Sequence, residues 1–143
     1  MSAIIGRRYS AERVVIAINT AVPAVGAANG RNNGWIDARD AAGGLLRTPA
    51  AWTTADITFQ VLGALGSRGA SPTKAMPTDE TPKSLYDKIG TLVRITNVVA
   101  DGWFEIPAQV LMAGFFRIRS TNTASAADVD QAAARELWIA LKS

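Results

Sequence analysis

The sequence contains no histidine and no cysteine among its 143 residues. These two side chains carry out most nucleophilic, proton-transfer and transition-metal chemistry near neutral pH. Without cysteine there is also no disulfide framework and no zinc–thiolate site. The chain has neither the apolar segment of a signal peptide nor the roughly 18 apolar residues of a membrane helix. We therefore expect a soluble protein made in the cytoplasm, with no membrane partner.

Charged residues are also scarce, at 19% of the chain. The net charge is +3, which is too small an excess for a dedicated nucleic-acid binder with a basic face. Eleven of the fifteen basic residues are Arg. Arg is enriched in protein interfaces, where Lys is depleted, although a genome rich in G and C favours Arg codons as well. Both explanations of the arginine excess stay open.

Short runs of β-branched and aromatic residues, separated by Gly, Pro and Asn, predict strands. The clearest is Trp52–Leu62, where Ile57, Phe59 and Val61 alternate with polar residues. The other predicted strands are Glu12–Ile18, a short edge strand from Trp35, Leu85–Val99, Trp103–Ile106, Phe115–Ser120 and Arg135–Lys142. In the last of them one face carries Leu137, Ile139 and Leu141, and the other carries Glu136, Trp138 and Ala140.

Turn signals lie at Asp40–Gly44 and Asp101–Gly102, and Pro107 opens a short helical turn over Ala108–Ala113. The pattern predicts an all-β fold, an antiparallel β-sandwich with long loops and at most one or two short helical turns. With seven or eight strands, a jelly roll is the expected architecture. We expect an N-terminal arm at 1–10 and a single domain at 11–143, with long loops at 19–34 and 63–83.

Candidate catalytic and metal-binding groups are few. Paired carboxylates act in glycoside hydrolysis when they face each other across a sugar, and a hard cation needs six or more oxygen ligands, of which Asp128 and Asp130 offer two. Solvated loop carboxylates are the simpler interpretation of every pair, and we expect no catalytic residue, no cofactor and no metal. The remaining pairs are Asp37 with Asp40 and Asp79 with Glu80.

Four tryptophans exceed what the core of a sandwich of this size accepts, which is about two. An exposed Trp on a sheet face serves either as a sugar platform or as an interface anchor. Trp35, in a Gly/Asn/Asp setting, is the first choice for an exposed one, and Trp103 is a second candidate. Arg117 and Arg119 on one strand face, with Arg94 beside them, form either a solvated face or a basic stripe for an acidic partner.

Three segments together carry a family resemblance: Trp52–Gln60, Leu85–Ile95 continued by Trp103–Pro107, and Phe115–Thr121 leading through Gln131 to the last strand. In this order they resemble the small jelly-roll proteins encoded among the virion genes of tailed bacteriophages. The resemblance covers about residues 50 to 143. It implies a non-enzymatic structural protein of the virion, a cement or decoration protein that binds and stabilises the capsid.

The resemblance also implies the major capsid protein as partner, a location on the capsid surface after synthesis in the host bacterial cytoplasm, and a dimer or trimer. Arg7, Arg8 and Tyr9 of the arm then become candidates for contacts with the capsid. The alternative is a carbohydrate-binding β-sandwich module of a phage tail or adhesion protein, which requires a localised cleft with Trp beside Asp, Asn and Arg. A hydrolase that uses Asp37 and Asp40 is a third hypothesis.

Overall fold

The computed structural model describes residues 9–16, 35–62, 82–129, 131 and 135–142, and for 9–16 it describes the backbone alone. These residues form two antiparallel sheets and almost no helix, the arrangement of an all-β sandwich. The strands are β1 (Tyr9–Ile16), β2 (Ile36–Asp37), β3 (Gly43–Arg47), β4 (Ala55–Val61), β5 (Lys83–Ser84), β6 (Arg94–Val98), β7 (Trp103–Glu105), β8 (Phe115–Thr121) and β9 (Arg135–Lys142), with one helix, α1 (Ala108–Met112).

The first sheet has four strands in the order β1-β9-β3-β7. Its centre is β9, which pairs with β1 along its full length and with β3 from Trp138 to Lys142. The period of two predicted for this segment is confirmed, because Leu137, Ile139 and Leu141 are buried while Trp138 faces outward. Strand β7 closes the other edge by pairing with β3.

The second sheet has five strands, with β8 between β2 and β4. Strands β5 and β6 both pair with β4, β5 at its Gln60–Val61 end and β6 at its Ala55–Thr58 end. The register between β4 and β6 shifts between Ala55 and Ile57.

The core lies between the inward faces of the two sheets. Phe59 and Phe116 meet edge to face at its centre, with ring centroids 6.0 Å apart. A second, smaller cluster of Trp35, Leu62 and Phe115 lies on the other face of the five-stranded sheet, because each alternates with a core residue of its own segment. None of the helices among the described residues has the length and the apolar character needed to cross a membrane.

The largest correction concerns Leu85–Val99, which is not one strand. Only β6 is formed, and the preceding residues make an isolated bridge between Tyr86 and Leu92 around a turn. The Asp87 carboxylate accepts the backbone N–H groups of Ile89 and Thr91, both at 2.9 Å. Gly90 has φ +84°, a left-handed backbone conformation that glycine adopts readily because it has no Cβ. Turn chemistry therefore overrides the alternating pattern.

Three boundaries also differ from the predictions. The first strand runs over Tyr9–Ile16 rather than Glu12–Ile18, so that it begins inside the predicted arm. The predicted turn at Asp40–Gly44 ends earlier, because Gly43 and Gly44 pair with β9 in β3. The predicted loop at 63–83 ends in β5. The predicted loop at 19–34 and residues 63–81 of the predicted loop at 63–83 lie outside the described residues.

Candidate binding surface

The outer face of the four-stranded sheet carries large apolar side chains in solvent. Trp103 is 55% exposed, Leu45 is 45% exposed and Trp138 is 41% exposed. Leu45 and Trp138 are each next to a buried residue of their strand, and Trp103 is next to Phe104, which packs against the core. Because apolar area in water costs free energy, a contiguous patch of this kind on a sheet indicates a binding surface.

The two exposed tryptophans lie in one row across three strands. Arg47 of β3 is directly opposite Trp103 on one side and directly opposite Trp138 on the other. Directly opposed residues point to the same face of a sheet, so Trp103, Arg47 and Trp138 form a continuous line, the tryptophan row. Adjacent strands lie about 4.8 Å apart, which places the two tryptophan Cα atoms about 9.6 Å from each other.

Arg47 supplies a polar centre to the tryptophan row. Its Nη2 donates to Oδ1 of Asp101 at 2.8 Å, and its guanidinium carbon lies 6.0 Å from the ring centroid of Trp103. The carboxylate side chain of Asp101 is 64% exposed, so this ion pair stays hydrated. The tryptophan row thus combines two aromatic rings with the hydrogen-bond donors of the Arg47 guanidinium and the acceptor oxygens of the Asp101 carboxylate.

The turn before β7 sets the position of Asp101. Asp101 has φ +56°, and Gly102 donates its N–H to the hydroxyl of Thr48 at 3.0 Å. The buried Thr48 hydroxyl in turn donates to the carbonyl of Val99 at 2.8 Å. Since Thr48 directly follows β3, this turn is attached to the end of the strand that carries Arg47.

A second apolar surface surrounds α1, which begins beyond the far end of β7. Met112 is 76% exposed and borders two shallow depressions of about 480 Å³ and 400 Å³. Arg39 lines the first, beside Leu111 and Gly114. Leu62 and Leu85 line the second. We call this region the α1 surface.

Arg39 is fixed in the α1 surface by its neighbours. Its Nε and Nη2 donate to the two carboxylate oxygens of Asp37 at 3.0 and 2.8 Å, and its guanidinium carbon lies 4.6 Å from the centroid of Phe115. The hydrogen bond to Asp37 raises the pKa of Arg39 above its ordinary value. Asp37 is therefore a structural partner of Arg39.

The predicted arginine stripe does share one face of the five-stranded sheet. Thr58 is directly opposite Arg94 on one side and Arg119 on the other, and Gln60 is opposite Arg117. Each guanidinium, however, contacts the protein itself. Arg94 lies 3.3 Å from Asp56 and donates to the carbonyl of Thr123, and Arg119 pairs with Asp128.

Arg117 is half-buried and contacts both a neighbouring strand and the small cluster. Its Nε donates to Oε1 of Gln60 at 2.7 Å, and its guanidinium lies 5.5 Å from the centroid of the Trp35 ring. Burial, with a smaller contribution from the positive charge of Arg119, lowers the pKa of Arg117 below its ordinary value. The stripe mainly attaches loops and the small cluster to the sheet.

Trp35 is the clearest error of the site prediction, because it is only 1% exposed. Its ring packs with Leu62 and Phe115 in the small cluster. Trp52 is buried as well, and its indole Nε1–H donates to the carbonyl of Val98 at 3.2 Å. Two tryptophans are buried and two are exposed, as the core size indicated. Trp138 was missed, although its alternation with Leu137 and Ile139 placed it on an outer face.

Several other candidates cannot be placed. Arg7 and Arg8 lie outside the described residues, and Tyr9 is described only as the first backbone position of β1, paired with Lys142. The pair Asp79 and Glu80 and the residue Asp130 are also outside the described part. Within that part, no group of three or more carboxylate, His or Cys side chains is arranged to hold a metal ion.

Comparison of the chain with protein-family models, with curated proteins and with solved structures found no match. The interpretation of the tryptophan row and the α1 surface as binding surfaces therefore depends on their geometry alone.

Proposed function

We propose that the protein is a non-enzymatic structural protein of the virion that binds the major capsid protein of a bacteriophage and stabilises the shell. The observation that carries this proposal is the exposure of apolar area on the α1 surface, where Met112 is 76% exposed and borders two shallow depressions. Exposed apolar area of this kind marks a contact surface for another protein.

The order of the strands supports a jelly-roll topology, which we propose as the finer description of the fold. In each sheet early strands alternate with late ones, as β1-β9-β3-β7 and as β2-β8-β4-β6. Two Greek-key connections bring the first and last strands of a jelly roll side by side in this way. This architecture recurs in viral capsid and lectin domains, which agrees with a binding role.

Because a shell offers many equivalent binding positions, weak contacts at each position are sufficient for stable binding. A protein bound at many equivalent positions gains avidity when each copy also contacts its neighbours, so no single interface needs high affinity. We propose that the protein forms a homodimer or homotrimer, since closed symmetric assemblies match the local symmetry axes of a shell. The proposed location is the outer surface of the capsid.

The alternative is a carbohydrate-binding module of a phage tail or adhesion protein. One observation favours it: Trp103 stands beside the Arg47–Asp101 pair, the combination of aromatic face and polar groups that a sugar needs. Met112, which is 76% exposed, belongs to the α1 surface and not to the tryptophan row, so sugar binding at the row does not account for its exposure. Capsid binding accounts for it.

The test is the association of the full-length protein with heads that were assembled without it. We expect co-sedimentation with the heads, and a higher temperature of DNA release from the decorated particles than from the bare ones. Met112→Glu introduces a charge into the α1 surface and is expected to weaken co-sedimentation. Thr54→Glu, at an exposed position beyond the opposite end of β4, introduces the same charge and is the matched control.

Two results would contradict capsid binding. One is the absence of co-sedimentation at any protein concentration below that of nonspecific adsorption. The other is binding to heads that Met112→Glu leaves as strong as in the wild type.

A further inference from the structure

We propose that the tryptophan row is a glycan-binding site for an extended, uncharged chain of β-linked pyranose sugars. This inference goes beyond capsid binding, because it assigns the outer face of the four-stranded sheet to a different ligand and leaves the α1 surface to the capsid. It rests on the geometry of Trp103, Arg47 and Trp138 alone.

The spacing of the two tryptophan Cα atoms suits alternate sugar units. Two strand intervals separate the Cα atoms of Trp103 and Trp138 by about 9.6 Å. That distance is close to the length of two β-1,4-linked pyranose units in an extended chain. Each β-linked pyranose presents a flat face of C–H groups, and such a face stacks on an aromatic ring as other apolar groups do.

An apolar side chain borders the tryptophan row. In the neighbouring row of the same sheet, Leu45 lies between Glu105 on β7 and the small Ala140 on β9. Leu45 is 45% exposed, so it extends the apolar surface beside the two tryptophans. A linear chain can therefore lie across β7, β3 and β9.

The polar centre distinguishes a sugar from a protein as occupant. Arg47 and Asp101 form a 2.8 Å ion pair whose carboxylate side chain is 64% exposed. Covering this pair with the apolar core of a protein interface removes water from both charges, a loss that their attraction often fails to offset. Sugar hydroxyls both donate and accept, so they replace that water with hydrogen bonds.

The local charge argues for an uncharged glycan. Asp101 offsets the charge of Arg47, and Glu105 and Glu136 lie on the same outward face of β7 and β9. Lys142 lies on the same outward face of β9 as Glu136. The face thus holds both signs of charge in similar number and gives no net attraction for a polyanion.

The experiment is affinity electrophoresis and calorimetry of the full-length protein. The probes are oligosaccharides of β-1,4-linked glucose and of β-1,4-linked N-acetylglucosamine, with α-1,4-linked glucose oligomers of equal length as the comparison. We expect binding of at least one β-linked series, with affinity that rises up to about four units as both indoles become occupied. The α-linked oligomers, which coil, are expected to bind at least tenfold more weakly.

Two single variants locate the site. Trp103→Ala and Trp138→Ala are each expected to weaken binding by about tenfold or more, since an aromatic stacking contact contributes on the order of 1 kcal/mol beyond its buried area. Met112→Ala, an exposed apolar position on the α1 surface, is the control and should bind as the wild type does. Circular dichroism of each variant checks that the sheets are intact.

The proposal is overturned by any of three results. The first is no binding of either β-linked series at millimolar concentration. The second is β-glycan binding that both tryptophan variants retain. The third is loss of head association, rather than of glycan binding, in the tryptophan variants, which would assign the row to the capsid. Failure of capsid binding with intact glycan binding would refute the proposed function and leave this site standing.

Discussion

Arg94 places its Nη1 3.3 Å from Oδ2 of the fully buried Asp56. The other carboxylate oxygen of Asp56 accepts the backbone N–H of Asn97 and the hydroxyl of Thr123, both at 2.8 Å. A single carboxylate on β4 therefore attaches β6 and the segment after β8 to the same sheet. Asn97 has φ +51°, a backbone conformation that this hydrogen bond helps to hold.

We expect Asp56→Ala to lower the free energy of unfolding by about 3 kcal/mol. The substitution leaves the N–H of Asn97 and the hydroxyl of Thr123 without their acceptor, and the guanidinium of Arg94 without its ion-pair partner. Asp56→Asn keeps an oxygen for Asn97 and removes only the charge, so its loss should be smaller. Urea denaturation measures both variants.

The exposed Asp40 provides the matched control for the aspartate variants. Asp40→Ala is expected to change the free energy of unfolding by no more than about 0.5 kcal/mol. Equal stability of Asp56→Ala and Asp40→Ala would mean that the Asp56 contacts contribute nothing to the fold.

Gly114 supports a second prediction, at the junction of α1 and β8. Its φ is +87°, and an added Cβ would lie 3.4 Å from Cγ of Arg39. We expect Gly114→Ala to cost about 1 to 2 kcal/mol of stability, because L residues rarely adopt this conformation. Gly43→Ala is the control, since nothing lies within 4 Å of its added Cβ and its φ is not positive. Thermal unfolding should separate the two variants, and equal melting temperatures would contradict the prediction.

The strands that were predicted well are those whose burial alternates within the segment itself. Strand β9 matches its prediction at both ends because Leu137, Ile139 and Leu141 reach the core at every second position. Strand β3 was missed because its two glycines resemble a turn. Gly44 has instead a packing role, since an added Cβ would lie 3.0 Å from Cδ2 of Leu141 and 3.1 Å from Cδ1 of Ile106. Only the folded neighbours reveal that requirement.

The tryptophan row was only partly predictable, because it too depends on neighbours that are distant along the chain. The alternation in β9 places Trp138 on an outer face, and Trp103 was a candidate from the start. Their common row depends on the register of both strands against Arg47, which is more than 50 residues from either, as the residue numbers show. Local composition also misled at Trp35, where polar neighbours in sequence suggested exposure and contacts distant along the chain bury the ring.

Gln131 supports a third prediction, because its fully buried side-chain amide bonds to both backbone groups of one residue, as a neighbouring strand would. Its Oε1 accepts the N–H of Thr53 at 3.0 Å, and its Nε2 donates to the carbonyl of the same residue at 3.2 Å. We expect Gln131→Ala to destabilise the protein by about 2 kcal/mol, since it leaves both backbone groups of Thr53 without their side-chain partner. Gln109→Ala, at an exposed position of α1, is the control.

The measurement for Gln131 is hydrogen exchange at the Thr53 amide together with chemical denaturation. Faster exchange at Thr53 in Gln131→Ala, with no change in Gln109→Ala, is the expected result. Protection of the Thr53 amide that survives the substitution would show that another group satisfies it.

A fourth prediction separates the structural tryptophans from the binding ones. Trp35→Ala removes a ring that is 1% exposed and leaves a cavity beside Leu62 and Phe115, so we expect a loss of about 3 to 5 kcal/mol. Trp103→Ala removes a ring that is 55% exposed and should cost less than about 1 kcal/mol. Denaturation followed by circular dichroism gives both values without relying on the indoles as probes. If Trp103→Ala destabilised the protein as much as Trp35→Ala does, Trp103 would be a packing residue, and loss of ligand in that variant would report unfolding instead of a lost contact. A small loss is therefore the condition under which the tryptophan row can be assigned to binding at all.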